Sequence, residues 1–269
     1  MSTESAIKLS IVTVCFNDFE NVRRTMESIE MQTERQGWEH ILIDGASSDG
    51  TAAWYAAAGF DFPHTLVSEP DKGIFDAMNK SLDYVNGDYV NFMCAGDRFA
   101  DSGVIRRIFQ RIRSQPAWGY SKARIVDSAG NKVYPDIGRM PYSRAAHMFR
   151  IAQLCQQTVV MKVDFLRGLG GFDLSMGNGG DYHLLLKAAA VDPPVTWPDV
   201  DVDYLAGGVS DREVFNSIRL GHRCRVDALE MSPFLARLDS VWTALQLSHI
   251  WVRKKLKPYL GPVYQRLRH

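Results

Sequence analysis

Residues 8–99 alternate short apolar runs with helical patterns, and this alternation constrains the fold more than any other feature of the sequence. The β-branched run at 9–16 is typical of a strand buried on both faces. Further apolar runs follow at 40–43, 65–68 and 89–93, separated by segments with apolar residues at helical spacing. This β-α-β-α-β-α-β order predicts an α/β fold with a mostly parallel sheet and right-handed crossovers.

Polar residues stand where the four predicted strands end, namely Asn17, Asp44, Glu69 and Asp97. Ligands of open parallel sheets bind at the carboxyl ends of the strands, so the order of elements predicts a site along this edge. Lys72 and the N-terminus of the helix after it can face an anion there. Taken singly, these residues are also compatible with turns and helix caps.

The second half of the chain is less regular. Its patterns predict a helix at 103–113, a hairpin at 123–133, a strand at 157–162, a helix from 181 and an extended segment at 195–204. Internal repeats and low-complexity linkers are absent from the sequence. One α/β domain over 1–225, followed by a helical tail at 226–269, is therefore the simplest organisation.

The composition excludes several classes of protein. Lys plus Arg equals Asp plus Glu, 31 of each among 269 residues, so the net charge does not indicate a nucleic-acid binder. The four cysteines show no CxxC spacing, which disfavours a zinc site or a disulfide framework. The start of the sequence has no apolar segment and no run is long enough to span a membrane, so we expect a cytoplasmic protein.

Four segments carry a resemblance to a known family: SIVTVCFN, IDGASSDGT, SEPDKGIFDAMNK and GDYVNFMCAGDRF. In this order and spacing they resemble family 2 glycosyltransferases of the GT-A fold, in particular the bacterial subgroup that builds exopolysaccharide, lipopolysaccharide and glycolipid sugars. The likeness is dense over 8–99 and patchier to about residue 210. It implies that 8–99 is a donor nucleotide-binding half and that 100–225 is an acceptor and catalytic half.

The resemblance also implies roles for particular residues. Donor contacts are expected from Thr13, Phe16, Asn17, Asp44, Asp71, Lys72, Asn79, Ala95 and Gly96. Asp97 is expected to hold Mg²⁺ or Mn²⁺ against the donor diphosphate. The sequence departs from the family here, because Ala95-Gly96-Asp97 supplies one carboxylate where many members have two.

Two glycine-rich stretches further on, 170–173 and 179–183, resemble the family's "GGFD…ED" stretch. Asp181 matches the aspartate that is the catalytic base of inverting members, while Gly180 replaces the usual acid before it. The alternative is that Asp181 serves as a helix N-cap, and the two roles are compatible. Gln156 occupies the place of a frequent histidine, and His183 and His222 are candidates for ligand or supporting contacts.

The expected reaction is inverting transfer of a sugar from a UDP-, GDP- or dTDP-sugar to a hydroxyl of a glycan or lipid-linked acceptor, in cell-surface polysaccharide or glycolipid biosynthesis. The alternative is a catalytically weak or inactive homologue that binds nucleotide sugars, since both motifs are reduced. A Rossmann dehydrogenase is excluded because the first turn lacks GxGxxG.

The tail is the last feature that bears on function. Residues 251–269 carry six Lys and Arg residues and no acid, beside several aromatic residues. Such a helix can lie on the inner face of an anionic membrane, or it can pack on its own domain or on a second subunit of a homodimer.

Overall fold

The structure is a computed structural model that describes residues 8–207 and 214–266, without the side chains of Val214, His249 and residues 253–266. Eight described strands form one mixed sheet in the order β3-β2-β1-β4-β7-β6-β8-β5. Their bounds are β1 Leu9–Cys15, β2 Trp38–Asp44, β3 His64–Ser68, β4 Tyr89–Phe92, β5 Arg98–Phe99, β6 Trp118–Val126, β7 Val159–Lys162 and β8 Val195–Leu205.

Helices flank both faces of this sheet. Those in the described residues are α1 Phe19–Glu30, α2 Thr51–Ala57, α3 Ile74–Ser81, α4 Val104–Ile112, α5 Arg144–Met148, α6 Val163–Gly168, α7 Gly180–Val191, α8 Val214–Ala228 and α9 Pro233–Arg266. Two buried apolar clusters, one on each face, hold the helices to the strands. Val22, Met26 and Ile29 of α1, for example, are fully buried at helical spacing.

The first four strands confirm the predicted alternation. β3, β2, β1 and β4 are parallel neighbours, with Leu9 opposite both Trp38 and Tyr89. The expectation of a mostly parallel sheet is confirmed by this half and by the parallel pair β6–β8, while the second half adds antiparallel pairings that make the sheet mixed. There β7 runs antiparallel between β4 and β6, and β5 runs antiparallel to β8.

The antiparallel β7 has a consequence for the site. Because β7 reverses direction between β4 and β6, β6 and its parallel partner β8 run in the same direction as β1–β4. The carboxyl ends of β1, β2, β4, β6 and β8 therefore lie at one edge of the sheet. The hairpin predicted at 123–133 is reduced to a turn after β6 with the isolated bridge Val126–Lys132.

The C-terminal helices pack on the second half of the domain. α8 contacts α7, and α9 contacts α8 through the buried pair Arg225–Asp239. The predicted domain boundary at 225/226 falls inside α8. None of the described helices combines the length and the hydropathy needed to cross a membrane.

Candidate active site

The loop after β1 is fixed by Asn17. Its backbone is in the left-handed region, with φ +48°, and its amide donates to Oγ of Ser47 at 2.7 Å. The Asn17 side chain in turn accepts from the backbone amide of Ser48 at 2.9 Å. Asn17 is exposed and joins the loops that follow β1 and β2.

Asp44 ends β2 and is fully buried. Its Oδ2 accepts from the hydroxyl of Ser68 at 2.6 Å and from the amide of Ser47 at 3.0 Å. The carboxylate thereby joins the ends of β2 and β3, as expected of a buried charge that needs hydrogen-bond donors. In this arrangement it organises the loop at the nucleotide end of the predicted site.

Phe16 and Asp71 form an open surface at the same edge and cover Gly45, which is buried. The Phe16 side chain is 63% exposed. A Cβ atom at Gly45 would lie 2.6 Å from Oδ2 of Asp71 and 3.2 Å from the Phe16 ring, so both groups close over the glycine. An exposed ring beside a carboxylate offers a stacking face and hydrogen-bond acceptors to a planar ligand. Lys72 is exposed next to Asp71.

Two predicted donor residues, Thr13 and Asn79, have their polar groups engaged within the protein. Thr13 is fully buried, with its hydroxyl 2.9 Å from Nε2 of His40. The amide group of Asn79 makes two hydrogen bonds to the backbone of Phe172. The prediction that these side chains contact the donor does not fit their positions, because their polar groups are engaged within the protein.

The loop after β4 also departs from expectation at Gly96. This residue is buried, with φ +95°, and a Cβ there would lie 3.1 Å from the Leu205 side chain. Its amide is bonded to Oγ1 of Thr25 in α1. Gly96 therefore packs inward, whereas Cys94 and Ala95 keep partial exposure at the site edge.

Asp97, the predicted metal ligand, is also engaged within the protein. It is only 4% exposed, and its two oxygens accept from Nε2 of Gln157 at 2.7 Å and from the amide of Leu205 at 2.9 Å. Burial raises the pKa of Asp97 to about 7, although both hydrogen bonds act in the opposite direction. A buried carboxylate with both oxygens engaged does not fit a metal ligand, and Asp97 instead joins the ends of β4 and β8.

A different group of side chains could hold a metal ion. Ligand atoms of Asp173, His183 and Asp227 lie within 4.8 Å of one another. Nε2 of the buried His183 is 2.7 Å from Oδ2 of Asp227, and its Nδ1 lacks a hydrogen-bond partner among the described residues. One imidazole and two carboxylates suit a divalent transition metal. Sequence reasoning missed this group because Asp227 lies on α8, with no motif linking it to the other two.

Asp181 lies in the first turn of α7 and is partly exposed. Burial raises its pKa, an effect opposed by a hydrogen bond from the Tyr182 amide and by the charge of Arg150. The Asp181 charge also contributes to the raised pKa of Cys94 and of Cys224. Asp181 therefore lies within electrostatic range of Cys94, in the loop after β4, and of Cys224, in α8.

The glycine before Asp181 has a packing reason. A Cβ atom at Gly180 would lie 2.7 Å from the ring of Phe75, which stacks on Phe172 with centroids 5.1 Å apart. The space that a side chain would need at this position is filled by Phe75 from α3. The absence of a side chain at Gly180 is thus compensated by the ring of Phe75, which fills the space.

The other polar candidates lie in supporting positions. His222 bonds Asp239 and Ser240 of α9 through its two ring nitrogens, which directs it away from Asp181. Residues 208–210, part of the loop that precedes His222 in the sequence, lie outside the described residues. Gln156 is buried, and its Oε1 has no partner within the described ranges.

Arg150 is a site residue for which the sequence gives no signal. Its guanidinium lies 5.0 Å from the centroid of the Tyr182 ring and donates to the carbonyl of Ser217 at 2.8 Å. It belongs to the irregular segment after α5, where no periodicity or motif predicts a position. The fold nevertheless brings its charge close to Asp181.

Comparison with known proteins agrees with this arrangement. The profile described as "Glycosyl transferase family 2" matches residues 10–169. "Uncharacterized glycosyltransferase Rv1514c" of Mycobacterium tuberculosis is 30% identical over 223 residues, which cover 80% of this chain and 83% of that protein. The family match covers more than half of the chain, and the relative is similar over most of both chains, so together they define the class of protein as a glycosyltransferase.

Solved structures agree on the fold. S. aureus TarS in complex with UDP-GlcNAc has a TM-score of 0.64 at 14% identity, covering 86% of this chain and 69% of that chain. Mannosyltransferase PcManGT from Pyrobaculum calidifontis, in complex with GDP-Man and Mn²⁺, has a TM-score of 0.63 at 18% identity, covering 96% and 75%. The chain belongs to glycosyl transferase family 2 and is a glycosyltransferase of the GT-A fold. The predicted family, fold class and enzyme class are confirmed.

Proposed function

We propose that this glycosyltransferase moves a sugar from a nucleoside diphosphate sugar to an acceptor hydroxyl, with inversion and with Asp181 as the base. The observation that carries the proposal is the position of Asp181, partly exposed at the start of α7 and within electrostatic range of Cys94 in the loop that follows β4. The carboxyl ends of β1, β2 and β4 gather the donor residues along the same edge. General bases of raised pKa at such an edge are suited to deprotonating a hydroxyl.

The nucleotide is proposed to lie on the surface formed by Phe16 and Asp71. The exposed Phe16 ring offers a stacking face, and the Asp71 carboxylate accepts hydrogen bonds from base or ribose. Asn17 and Asp44 hold the loops beneath it. The neighbours solved with UDP-GlcNAc and GDP-Man support a UDP-, GDP- or dTDP-linked donor.

The chemical step is a single displacement. The acceptor hydroxyl gives its proton to the carboxylate of Asp181 while its oxygen bonds to the anomeric carbon. The bond from that carbon to the diphosphate oxygen breaks, and the nucleoside diphosphate leaves with the electron pair from the opposite face. The product would therefore have the inverted anomeric configuration, and the exposed Lys72 is proposed to offset the charge of the leaving group.

A divalent ion, Mg²⁺ or Mn²⁺, remains the proposed cofactor, supported by the Mn²⁺ of the mannosyltransferase neighbour. The residues that would hold it are Asp173, His183 and Asp227 rather than Asp97. When bound, such an ion would supply positive charge, which offsets negative charge that develops on a leaving group. A thermal-shift measurement of Mn²⁺ binding distinguishes the His183 site from Asp97. His183→Gln should abolish the stabilisation by Mn²⁺, and Asp97→Asn should retain it. The reverse pattern would restore Asp97 as the ligand.

The donor proposal is tested with a panel of UDP-, GDP- and dTDP-sugars, each with and without Mn²⁺. Thermal stabilisation and donor hydrolysis by one nucleotide class are expected, with Asp71→Asn weakening binding and the exposed, distant Asp83→Asn serving as the matched control. Binding without hydrolysis or transfer would favour the alternative of an inactive nucleotide-sugar-binding homologue. Absence of binding for the whole panel would overturn the proposal.

The acceptor is proposed to be a glycan or lipid-linked hydroxyl in cell-surface polysaccharide or glycolipid biosynthesis, reached at the inner face of the membrane. Support comes from α9, whose face opposite α8 exposes an apolar stripe. The stripe consists of Phe234, Leu238, Val241, Leu245 and Val252. Residues 251–269 add six bases and no acid, which favours an anionic lipid surface as its partner.

Vesicle sedimentation tests this contact. The full chain should bind vesicles containing anionic lipid more strongly than neutral vesicles, and Leu238→Ser with Leu245→Ser should weaken binding. Val191→Ser, another exposed apolar residue, is the matched control. Equal binding by all forms would overturn the membrane contact, and a concentration-dependent dimer abolished by the same pair of substitutions would assign the stripe to a second copy.

A further inference from the structure

A cavity of about 540 Å³ lies between β6 and the segment 136–153. This volume is in the range of small-molecule sites. Its lining includes three cations, Lys122, Arg139 and Arg150, and one acid, Asp136. Lys122 is the central residue of β6, which runs in the same direction as β1 and β4.

The charge of this cavity is not cancelled by its own lining. The carboxylate of Asp136 is bonded to the ammonium of Lys132 at 2.6 Å. Within residues 8–207 and 214–266, no ion pair or hydrogen bond engages the side-chain nitrogens of Lys122 or Arg139. Two cations therefore face the cavity together with Arg150, which leaves it with a net positive charge.

Arg150 connects the cavity to the proposed base. It lines the cavity, and its guanidinium stacks on the ring of Tyr182, the residue after Asp181. The bond from Arg150 to the carbonyl of Ser217 fixes this position against α8. Arg150 therefore links the cavity to the turn of α7 that carries the proposed base.

We infer that this cavity binds the acceptor and that the acceptor carries an oxyanion, a phosphate or a carboxylate, held by Lys122, Arg139 and Arg150. The inference rests on the proposed function, since it names the chemical class of the second substrate. Guanidinium groups bind both oxyanions in a two-pronged geometry, and an ammonium adds a point charge. The exposed side chain of Ile151 at the rim offers apolar contact to the remainder of the acceptor.

The test measures binding to the full chain by calorimetry, with the donor site saturated by the nucleotide that the panel identifies. The probes are glucose 1-phosphate, glucuronate and glucose, which distinguish a phosphate, a carboxylate and a neutral sugar. We expect one anionic probe to bind and glucose not to bind. The double variant Lys122→Gln with Arg139→Gln should weaken that binding about tenfold or more, because it removes charged hydrogen bonds to the anion.

The matched control is Lys8→Gln with Arg113→Gln, which removes the same two charges from exposed positions elsewhere. Circular dichroism checks that both double variants fold. Equal affinities in the control and in the cavity variant would overturn the inference, as would binding of neither anion to the wild-type chain. Loss of probe binding on adding nucleotide, with gain on removing it, would assign the cavity to the donor diphosphate and also overturn it.

The same experiment separates the inference from the proposed function. A wild-type chain that binds no nucleotide contradicts the proposed donor site, whatever the probes do. A chain that binds and hydrolyses a donor but ignores both anions contradicts only the inference. The anion binding should also weaken as salt is raised, because the cavity is open and its charges are screened.

Discussion

The side-chain amide of Asn79 is bonded at both ends to the backbone of Phe172. Nδ2 donates to the Phe172 carbonyl at 2.8 Å, and the Phe172 amide donates to Oδ1 at 2.9 Å. Gly171, with φ +69°, permits this approach, because a Cβ there would lie 2.6 Å from that Oδ1 atom. Asn79 thereby joins α3 of the donor half to the turn that leads towards Asp181.

We expect Asn79→Ala to lower the free energy of unfolding by about 1–3 kcal/mol, because two backbone groups of Phe172 lose their partner. Asn178→Ala, at an exposed position nearby, is the control and should change stability little. Denaturant unfolding measures both. If Asn79 instead contacts donor directly, nucleotide affinity will fall while stability stays unchanged.

Gly180→Ala should destabilise the chain by about 1–3 kcal/mol, because its Cβ would overlap the Phe75 ring. Phe75→Leu should relieve part of that cost, so the double variant should lose less than the sum of the single variants. Gly168→Ala, where a Cβ meets nothing within 4 Å, is the control. A double variant whose losses simply add would show that Phe75 is not the obstacle.

The sequence predicts the donor half well because its signals are local. The buried run at Leu9–Cys15 and the helical spacing of Val22, Met26 and Ile29 each specify an element without reference to distant residues. The parallel order of β1–β4 then follows from short crossovers, which places Asp44 at the predicted edge.

The remaining features depend on pairings that no local pattern encodes. Nothing in the sequence around Asp97 indicates that Gln157 and the Leu205 amide will occupy both of its oxygens. The direction of β7 is likewise set by its neighbours in the sheet, since an apolar run carries no information about orientation. For the same reason the sequence does not predict the position of Arg150, which depends on contacts with Tyr182 and α8.

The raised pKa of Asp97 predicts a pH dependence of stability. Its pKa rises from 3.8 to about 7 on folding, so the folded state retains a proton that the unfolded state releases. This contribution is fully present below pH 4 and is lost as the pH rises towards 7. Asp97→Asn removes the titrating group and should lack that loss, with the Gln157 side-chain amide turned so that its oxygen accepts a hydrogen bond. Between pH 5 and 8 the free energy of unfolding of this variant should therefore rise relative to that of wild type. Asp83→Asn is the control, and parallel curves for wild type and Asp97→Asn would contradict the assignment.

Asp181→Asn should reduce turnover by about 100-fold or more, because the amide cannot accept the acceptor proton. Nucleotide affinity should change little, since the substitution keeps the shape of the side chain. Steady-state transfer or donor hydrolysis, with nucleotide binding measured in parallel, checks both statements. Turnover near that of wild type would remove Asp181 from the base role.

Arg150→Gln should move the acid limb of the pH–activity profile to higher pH. A base works only when ionised, so activity falls as the pH drops through the pKa of Asp181, which burial raises. The charge of Arg150 holds that pKa down, and its removal should let it rise further. Arg150→Lys, which keeps the charge but not the stacked plane on Tyr182, should leave the limb nearer its wild-type position. Donor hydrolysis across pH 4–9 measures the limb, and coincident limbs in wild type and Arg150→Gln would show that Arg150 does not act on the base.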